Sequence, residues 1–217
     1  MRLKAVLFDF IGTTILEKTP DIISTCFEEA FKENDMRVTR DFIQVNRGKN
    51  KREVIEQAVQ SHGLPAERID KVLLSFGKII ERNLSHFSIA PRAMETFDHL
   101  RGEGVKLGIG TGLTRESFEK ILAHVKWKAK DFDYTATAEE IGKGRPHPDM
   151  IFDMMKKLQF TNPKEFLKIG DTVADIQEGK NAGVWTAVVL SGTQKRKLLE
   201  KEKPDFVLTR LGELIEW

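Results

Sequence analysis

Cys26 is the only cysteine in the 217 residues. No disulfide can close within the chain, which fits a reducing compartment. No run approaches about 18 consecutive apolar residues, so no membrane span is expected. The basic start, Met1-Arg2-Leu3-Lys4, leads into an apolar stretch too short for a secretory leader, and a cytoplasmic location is expected. An excess of charge of one sign is also lacking. Lys and Arg number 35 against 33 Asp and Glu, a formal charge of +2, which gives no argument for a nucleic-acid partner. The one compact basic group, Lys195-Arg196-Lys197, reads as a solvated helix face. His62, His86, His99 and His124 are dispersed and have no metal-ligand spacing. Internal repeats and low-complexity tracts are absent. What remains is 40% hydrophobic and 31% charged, the balance of a soluble globular protein with one sizeable core or two modest domains.

The chain is organised around residues 5–14, Ala5-Val6-Leu7-Phe8-Asp9-Phe10-Ile11-Gly12-Thr13-Thr14. The apolar run has the length of a buried strand and ends at a carboxylate. Gly12 permits a sharp turn after it. Asp9 is therefore expected at the carboxyl end of a parallel strand, where open α/β sheets place their ligands.

The period then changes. Thr19-Pro20-Asp21 reads as a helix start with Thr19 as N-cap, and Ile22, Ile23, Cys26, Phe27, Ala30 and Phe31 recur at helical spacing. Asn50-Lys51-Arg52-Glu53 is a capping-box arrangement opening a second helix that stops at His62-Gly63. Pro65 opens a third, with an apolar stripe from Ile69 to Leu84. Residues 17–87 thus read as wholly helical. From Pro91 helices and strands alternate: a helix with Met94, Phe97 and Leu100, strand Val105–Gly110 into Thr111-Gly112, and a helix capped by Thr114. A strand near 133–136 and a Gly- and Pro-bounded loop with Lys143, Arg145 and His147 follow, then a helix burying Ile151, Phe152, Met154, Met155 and Leu158. Strand Phe166–Ile169 runs into Gly170-Asp171-Thr172-Val173-Ala174-Asp175, and strands Val184–Leu190 and Phe206–Leu208 close the pattern. This alternation implies a doubly wound parallel sheet covered on both faces.

Asp9, Thr111 and Asp171 end three of these strands and would share one sheet edge. With Asp175 they gather several carboxylates, which repel one another unless a cation intervenes. An all-oxygen donor set favours a hard ion, Mg²⁺ first. A carboxylate oxygen of Asp9 would be left for attack on an electrophile. Gly12, Thr13 and the Thr111-Gly112 turn offer donors to an anion, and Arg145 supplies positive charge. These parts suit phosphoryl transfer.

The same residues, in the order strand–Asp9, strand–Thr111-Gly112, Gly144-Arg145-Pro146 and Gly170-Asp171-x-x-x-Asp175, resemble the haloacid dehalogenase superfamily across nearly the whole chain. The resemblance implies a Rossmann-like α/β core of residues 1–16 and 88–217 with a helical cap of residues 17–87. It implies Asp9 as a nucleophile that forms an aspartyl-phosphate, and Thr111 and Arg145 holding the phosphoryl oxygens. Mg²⁺ would sit on Asp9, Asp171 and the Ile11 carbonyl, with Asp175 as a further ligand or as support for one.

Phosphatases of that superfamily carry an aspartate two residues after the nucleophile, as general acid and base. Here that position is Ile11. A branch without this aspartate, the phosphonatases, cleaves a P–C bond after a cap lysine forms a Schiff base with the substrate's carbonyl. The chain resembles it in Gly12-Thr13-Thr14, in Thr111-Gly112-Leu113-Thr114-Arg115, and in Gly48-Lys49-Asn50-Lys51, which matches the branch's Gly-x-x-Lys. Lys51 would open a capped helix among Arg47, Lys49 and Arg52, in a positive field that lowers a lysine's pKa. Two positions depart from the branch: its histidine three residues past the lysine is Val54, and its aromatic after Thr-Gly is Leu113. The expected partner is a small phosphonate or phosphorylated metabolite, with no nucleic acid or membrane, and with a homodimer as a possible assembly. A phosphomonoester phosphatase and a catalytically weak binding protein stand as alternatives.

Overall fold

The computed structural model describes residues 2–217. The first strand, β1 (Ala5–Asp9), is wholly buried and central in a six-stranded sheet with β4 (Lys106–Thr111), β5 (Tyr134–Thr137), β6 (Phe166–Gly170), β7 (Trp185–Val189) and β8 (Phe206–Leu208), in the order β5-β4-β1-β6-β7-β8. All of the ladders are parallel, with Asp9 opposite Gly110 of β4 and Phe8 opposite Ile169 of β6. The order reverses around β1, so the carboxyl ends of β1, β4 and β6 border the crevice where such sheets bind ligands.

The alternation along β1 builds two apolar layers. Val6 and Phe8 face a large cluster in which Phe8 meets Phe97 of α5 (Ala93–Gly102) edge-on at 5.2 Å, with Trp127 and Phe132 behind it. Ala5 and Leu7 face the other side, against Met150, Ile151 and Met154 of α8 (Asp149–Lys157). The outer turns of both helices are wet: Phe152 is 49% and Met94 44% exposed. Phe152 was expected in the core. One such position per turn is left outside because a helix buries only one stripe.

Between β1 and α5 the chain makes α1 (Ile22–Lys32), α2 (Arg40–Val45), α3 (Lys51–Ser61) and α4 (Glu67–Arg82). The apolar stripes of α1 and α4 meet at Phe27, Phe31 and Phe76. The large cluster continues into them from the sheet, with Phe10 against Phe118 of α6 (Arg115–His124) at 4.7 Å. The segment 17–87 is not wholly helical. The chain enters and leaves it through β2 (Ile15–Glu17) and β3 (Phe87–Ile89), an antiparallel pair. Three-residue strands show no period in a sequence.

Helix α1 also starts later than its Thr-Pro signal predicts. Asp21 adopts a left-handed conformation (φ 61°) ahead of Ile22, and its carboxylate accepts from the side chains of Ser24, Gln44, Arg40 and Arg47 rather than from a backbone amide of its own helix. On the sheet side, α7 (Ala138–Ile141) follows β5 and is capped by Thr137 with Glu140. Helix α9 (Val173–Ala182) follows β6, capped by Thr172 with Asp175. The basic cluster lies at α10 (Arg196–Lys201), with Lys195, Arg196 and Lys197 exposed. No helix among the described residues is long and apolar enough to cross a membrane.

Candidate active site

The carboxyl ends of β1, β4 and β6 and the start of α3 border a small cleft of about 40 Å³ lined by Asp9, Ile11, Ile23, Arg47, Gly48, Lys51, Thr111, Gly112, Leu113, Arg145 and Thr172. Of the residues singled out in the sequence, this brings Asp9, Ile11, Gly48, Lys51, Thr111, Gly112 and Arg145 together. Asp171, Asp175, Gly12 and Thr13 lie under the floor. Asp9, Asp171 and Asp175 each offer a carboxylate oxygen within 4.8 Å of the others, and all three are buried. Gly12 has φ +96°, and a Cβ there would overlap the Asp171 carboxylate. The turn thus needs glycine for its conformation and for space. Thr13 donates to Asp171 Oδ1 at 3.5 Å. Asp171 Oδ2 is buried with no protein partner.

Arg145 is 3% exposed and sits at the centre of the charges, whereas Lys143 and His147 on the same loop are exposed. Its Nη1 donates to Asp9 Oδ1 at 2.6 Å and to the Gly48 carbonyl at 3.1 Å, and its Nη2 donates to the Gly110 carbonyl at 2.8 Å. Its Nε donates to Glu178 at 3.0 Å and lies 3.2 Å from Asp175. Asp175 also accepts from the Thr172 hydroxyl and backbone, and the Lys168 ammonium is 2.8 Å from it. Sequence reasoning missed Lys168 and Glu178, both about 1% exposed or less. A lysine in the middle of a buried parallel strand was the available signal. A glutamate three residues past Asp175 shares its helix face.

Four carboxylates (Asp9, Asp171, Asp175, Glu178) against two cations (Arg145, Lys168) leave two negative charges in a buried space. The strain falls unevenly. Burial, partly opposed by Arg145, raises Asp9 to about 6. Burial and then the Asp9 and Asp175 charges push Asp171 well above the carboxylate range. Arg145 and Lys168 outweigh burial at Asp175 and hold it low. A divalent cation fits this cluster in charge and in donor type, with the unpartnered Asp171 oxygen as the plainest place for it.

Lys51 faces these carboxylates from the helical side. It is the first residue of α3, whose N-cap Asn50 accepts from the Arg52 amide. It is 7% exposed. Its amine donates to the Lys49 carbonyl at 3.2 Å, lies 5.8 Å from the centre of the Phe27 ring, and forms no ion pair among the described residues. Burial first, then the Arg47 charge, lowers its pKa from 10.5 to about 8. Arg47, expected among the cations around Lys51, is itself tied to Glu17 at 2.8 Å and to Asp21. Val54 is buried in the helical core, and Leu113 lines the cleft.

Residues 6–189 match the model of the haloacid dehalogenase-like hydrolase family. The chain belongs to that family of hydrolases. This hydrolase is 29% identical to the phosphonoacetaldehyde hydrolase of Bacillus cytotoxicus, over 100% of its own length and 86% of the relative's. It is 37% identical to that of Bacteroides fragilis over 69% of its own length and 58% of the relative's. The solved structure of a hydrolase from Pseudomonas syringae superposes with a TM-score of 0.87, covering 98% of this chain and 96% of that one at 20% identity, which speaks for the fold alone.

Proposed function

We propose that the hydrolase cleaves the carbon–phosphorus bond of a small phosphonate bearing a carbonyl, of which phosphonoacetaldehyde is the simplest, using Asp9 as nucleophile and Lys51 as amine. One observation carries this reading: a buried lysine without an ion-pair partner among the described residues opens into the same cleft as Asp9, where no second carboxyl stands at position 11. The names of the relatives support it. With a pKa of about 8, about a tenth of Lys51 is the free amine at pH 7, against less than one part in a thousand for an ordinary lysine.

Lys51 attacks the carbonyl carbon and water leaves, giving an imine. Asp9, with Arg145 holding its Oδ1, attacks phosphorus. The C–P electron pair becomes the new carbon–carbon π bond, and the nitrogen of the imine, in its protonated form, takes the displaced C=N pair to give a neutral enamine. The leaving group is thus a stabilised carbon rather than an alkoxide, and no proton donor is needed at Ile11. Protonation and hydrolysis of the enamine return Lys51 and release acetaldehyde. Water then hydrolyses the Asp9 acyl phosphate to phosphate. Thr111 and the amides around Gly12, Thr13 and Gly112 bind the phosphoryl oxygens beside Arg145, and Gly48, which packs without a side chain against Thr172, borders the substrate with its backbone. A divalent cation on Asp9, Asp171 and Asp175, with the Ile11 carbonyl that the resemblance adds and Mg²⁺ as the natural ion, would neutralise the phosphoryl charge. Residues 17–87 serve as a cap that closes over the core of 1–16 and 88–217 and excludes water from the enamine.

Borohydride reduction during turnover of phosphonoacetaldehyde, followed by peptide mapping, tests the reading. A reduced adduct on Lys51 is expected. An unmodified Lys51, together with hydrolysis of p-nitrophenyl phosphate, would move the assignment to a phosphomonoesterase.

A further inference from the structure

Glu53 stands three residues past the N-cap of α3, where a capping box would turn its carboxylate back to the Asn50 amide. It is used elsewhere. Its Oε1 accepts from the backbone N–H of Gly144 at 3.0 Å and from Asn50 Nδ2 at 3.3 Å. Gly144 precedes Arg145 and Asn50 precedes Lys51, so one carboxylate ties the start of α3 to the loop that delivers the guanidinium. Two other hydrogen bonds cross the same seam. The Lys51 N–H donates to the Gly112 carbonyl at 3.0 Å, and Arg145 donates to the Gly48 carbonyl. The seam leaves no space for side chains: a Cβ on Gly112 would overlap the Lys49 carbonyl, and one on Gly144 would overlap Asn50. Among these cross-links, Glu53 alone contributes a side chain that does not line the cleft.

We propose that Glu53 is a positioning residue that registers Lys51 against Arg145 and Asp9, so that amine and nucleophile address one substrate. The proposal rests on the roles given above to Lys51 and Asp9. Those groups come from separate elements, and misplacement by about 1 Å costs up to about 100-fold in rate.

Three variants test it. Glu53→Ala removes the acceptor, Glu53→Gln keeps an oxygen in its place, and Gly144→Ala drives a Cβ into Asn50 without touching Glu53. Amide exchange is read over residues 48–54 and 142–146, with α10 as the internal control. Glu53→Ala and Gly144→Ala are expected to speed exchange in both segments about tenfold, the scale of losing a hydrogen bond to a charged acceptor. Glu53→Gln is expected to stay within about twofold of the parent, and α10 should not change. With phosphonoacetaldehyde, kcat should fall about tenfold in Glu53→Ala with KM little altered, and Glu53→Gln should recover most of it. Unchanged exchange in Glu53→Ala, faster exchange that includes α10, or a Gln variant as damaged as the Ala variant would overturn the proposal. A parent that does not turn over phosphonoacetaldehyde would count against the substrate reading alone, and the exchange data would still decide the role of Glu53.

Discussion

Replacing Lys51 with Met should abolish turnover and yet stabilise the fold. The lysine pKa falls from 10.5 to about 8 inside the protein, which corresponds to about 3 kcal/mol of penalty for keeping the ammonium in the cleft. The direction follows from linkage. Below pH 8 both the folded and the unfolded chain carry the proton, so the penalty is complete. Between pH 8 and 10.5 the folded chain releases its proton first and the penalty shrinks, and above 10.5 it is gone. Met has similar length, carries no charge and packs against Phe27 as readily. It loses the hydrogen bond to the Lys49 carbonyl, worth about 1 kcal/mol. The net gain at pH 6.5 is therefore about 2 kcal/mol, a rise of about 4–8 °C in Tm for a chain of this size. Thermal melts of parent and variant at pH 6.5 and pH 10 measure it, because titrations not coupled to Lys51 cancel in the difference. The gain should shrink steeply at pH 10. A variant less stable than the parent at pH 6.5, or a gap that ignores pH, would refute the claim that Lys51 is a strained, readily deprotonated amine.

Mg²⁺ should raise the Tm of the parent, by about 5–10 °C at a hundred times its Kd, and chelation should reverse the rise. Asp171→Asn should lose that response while melting higher than the parent in the absence of metal, since it removes a carboxyl that burial and its acidic neighbours make costly to ionise in the fold; a lower metal-free Tm would contradict this. Ile11→Asp places a carboxyl beside the nucleophile and should raise hydrolysis of an unactivated alkyl phosphate by about 100-fold, read by phosphate release; no rise would mean that proton donation is not what this cleft lacks. Phe97→Ala, far from the cleft but under β1, should cost about 3–5 kcal/mol in urea unfolding, and a change under 1 kcal/mol would mean the ring does not anchor that layer.

The strand ends were legible because each couples two simple signals: a short apolar run, and a polar residue at its end. Asp9, Thr111 and Asp171 were found that way, and Lys51 was found through the Gly48-x-x-Lys51 resemblance, with Asn50 as the cap of its helix. The residues missed share a different character. Lys168 and Glu178 belong to types that usually face water, and their burial depends on partners 7 to 33 positions away or held by another element. Local period carries no trace of such pairings. The same limit applies to Asp21, whose local helix-start signal yields to Arg47 and Arg40, and to Glu53, which leaves its own helix for Gly144. In each case a tertiary partner of opposite charge, or an amide with no other acceptor, outcompetes the local rule.

The shared use of one substrate by Lys51 and Asp9 is tested most directly with Asp9→Asn. Given phosphonoacetaldehyde and borohydride, that variant should carry a reduced adduct on Lys51 that still contains phosphorus, and should release no phosphate, whereas the parent's adduct has lost its phosphorus. Release of phosphate by Asp9→Asn, or a Lys51 that stays unmodified in both proteins, would contradict the account.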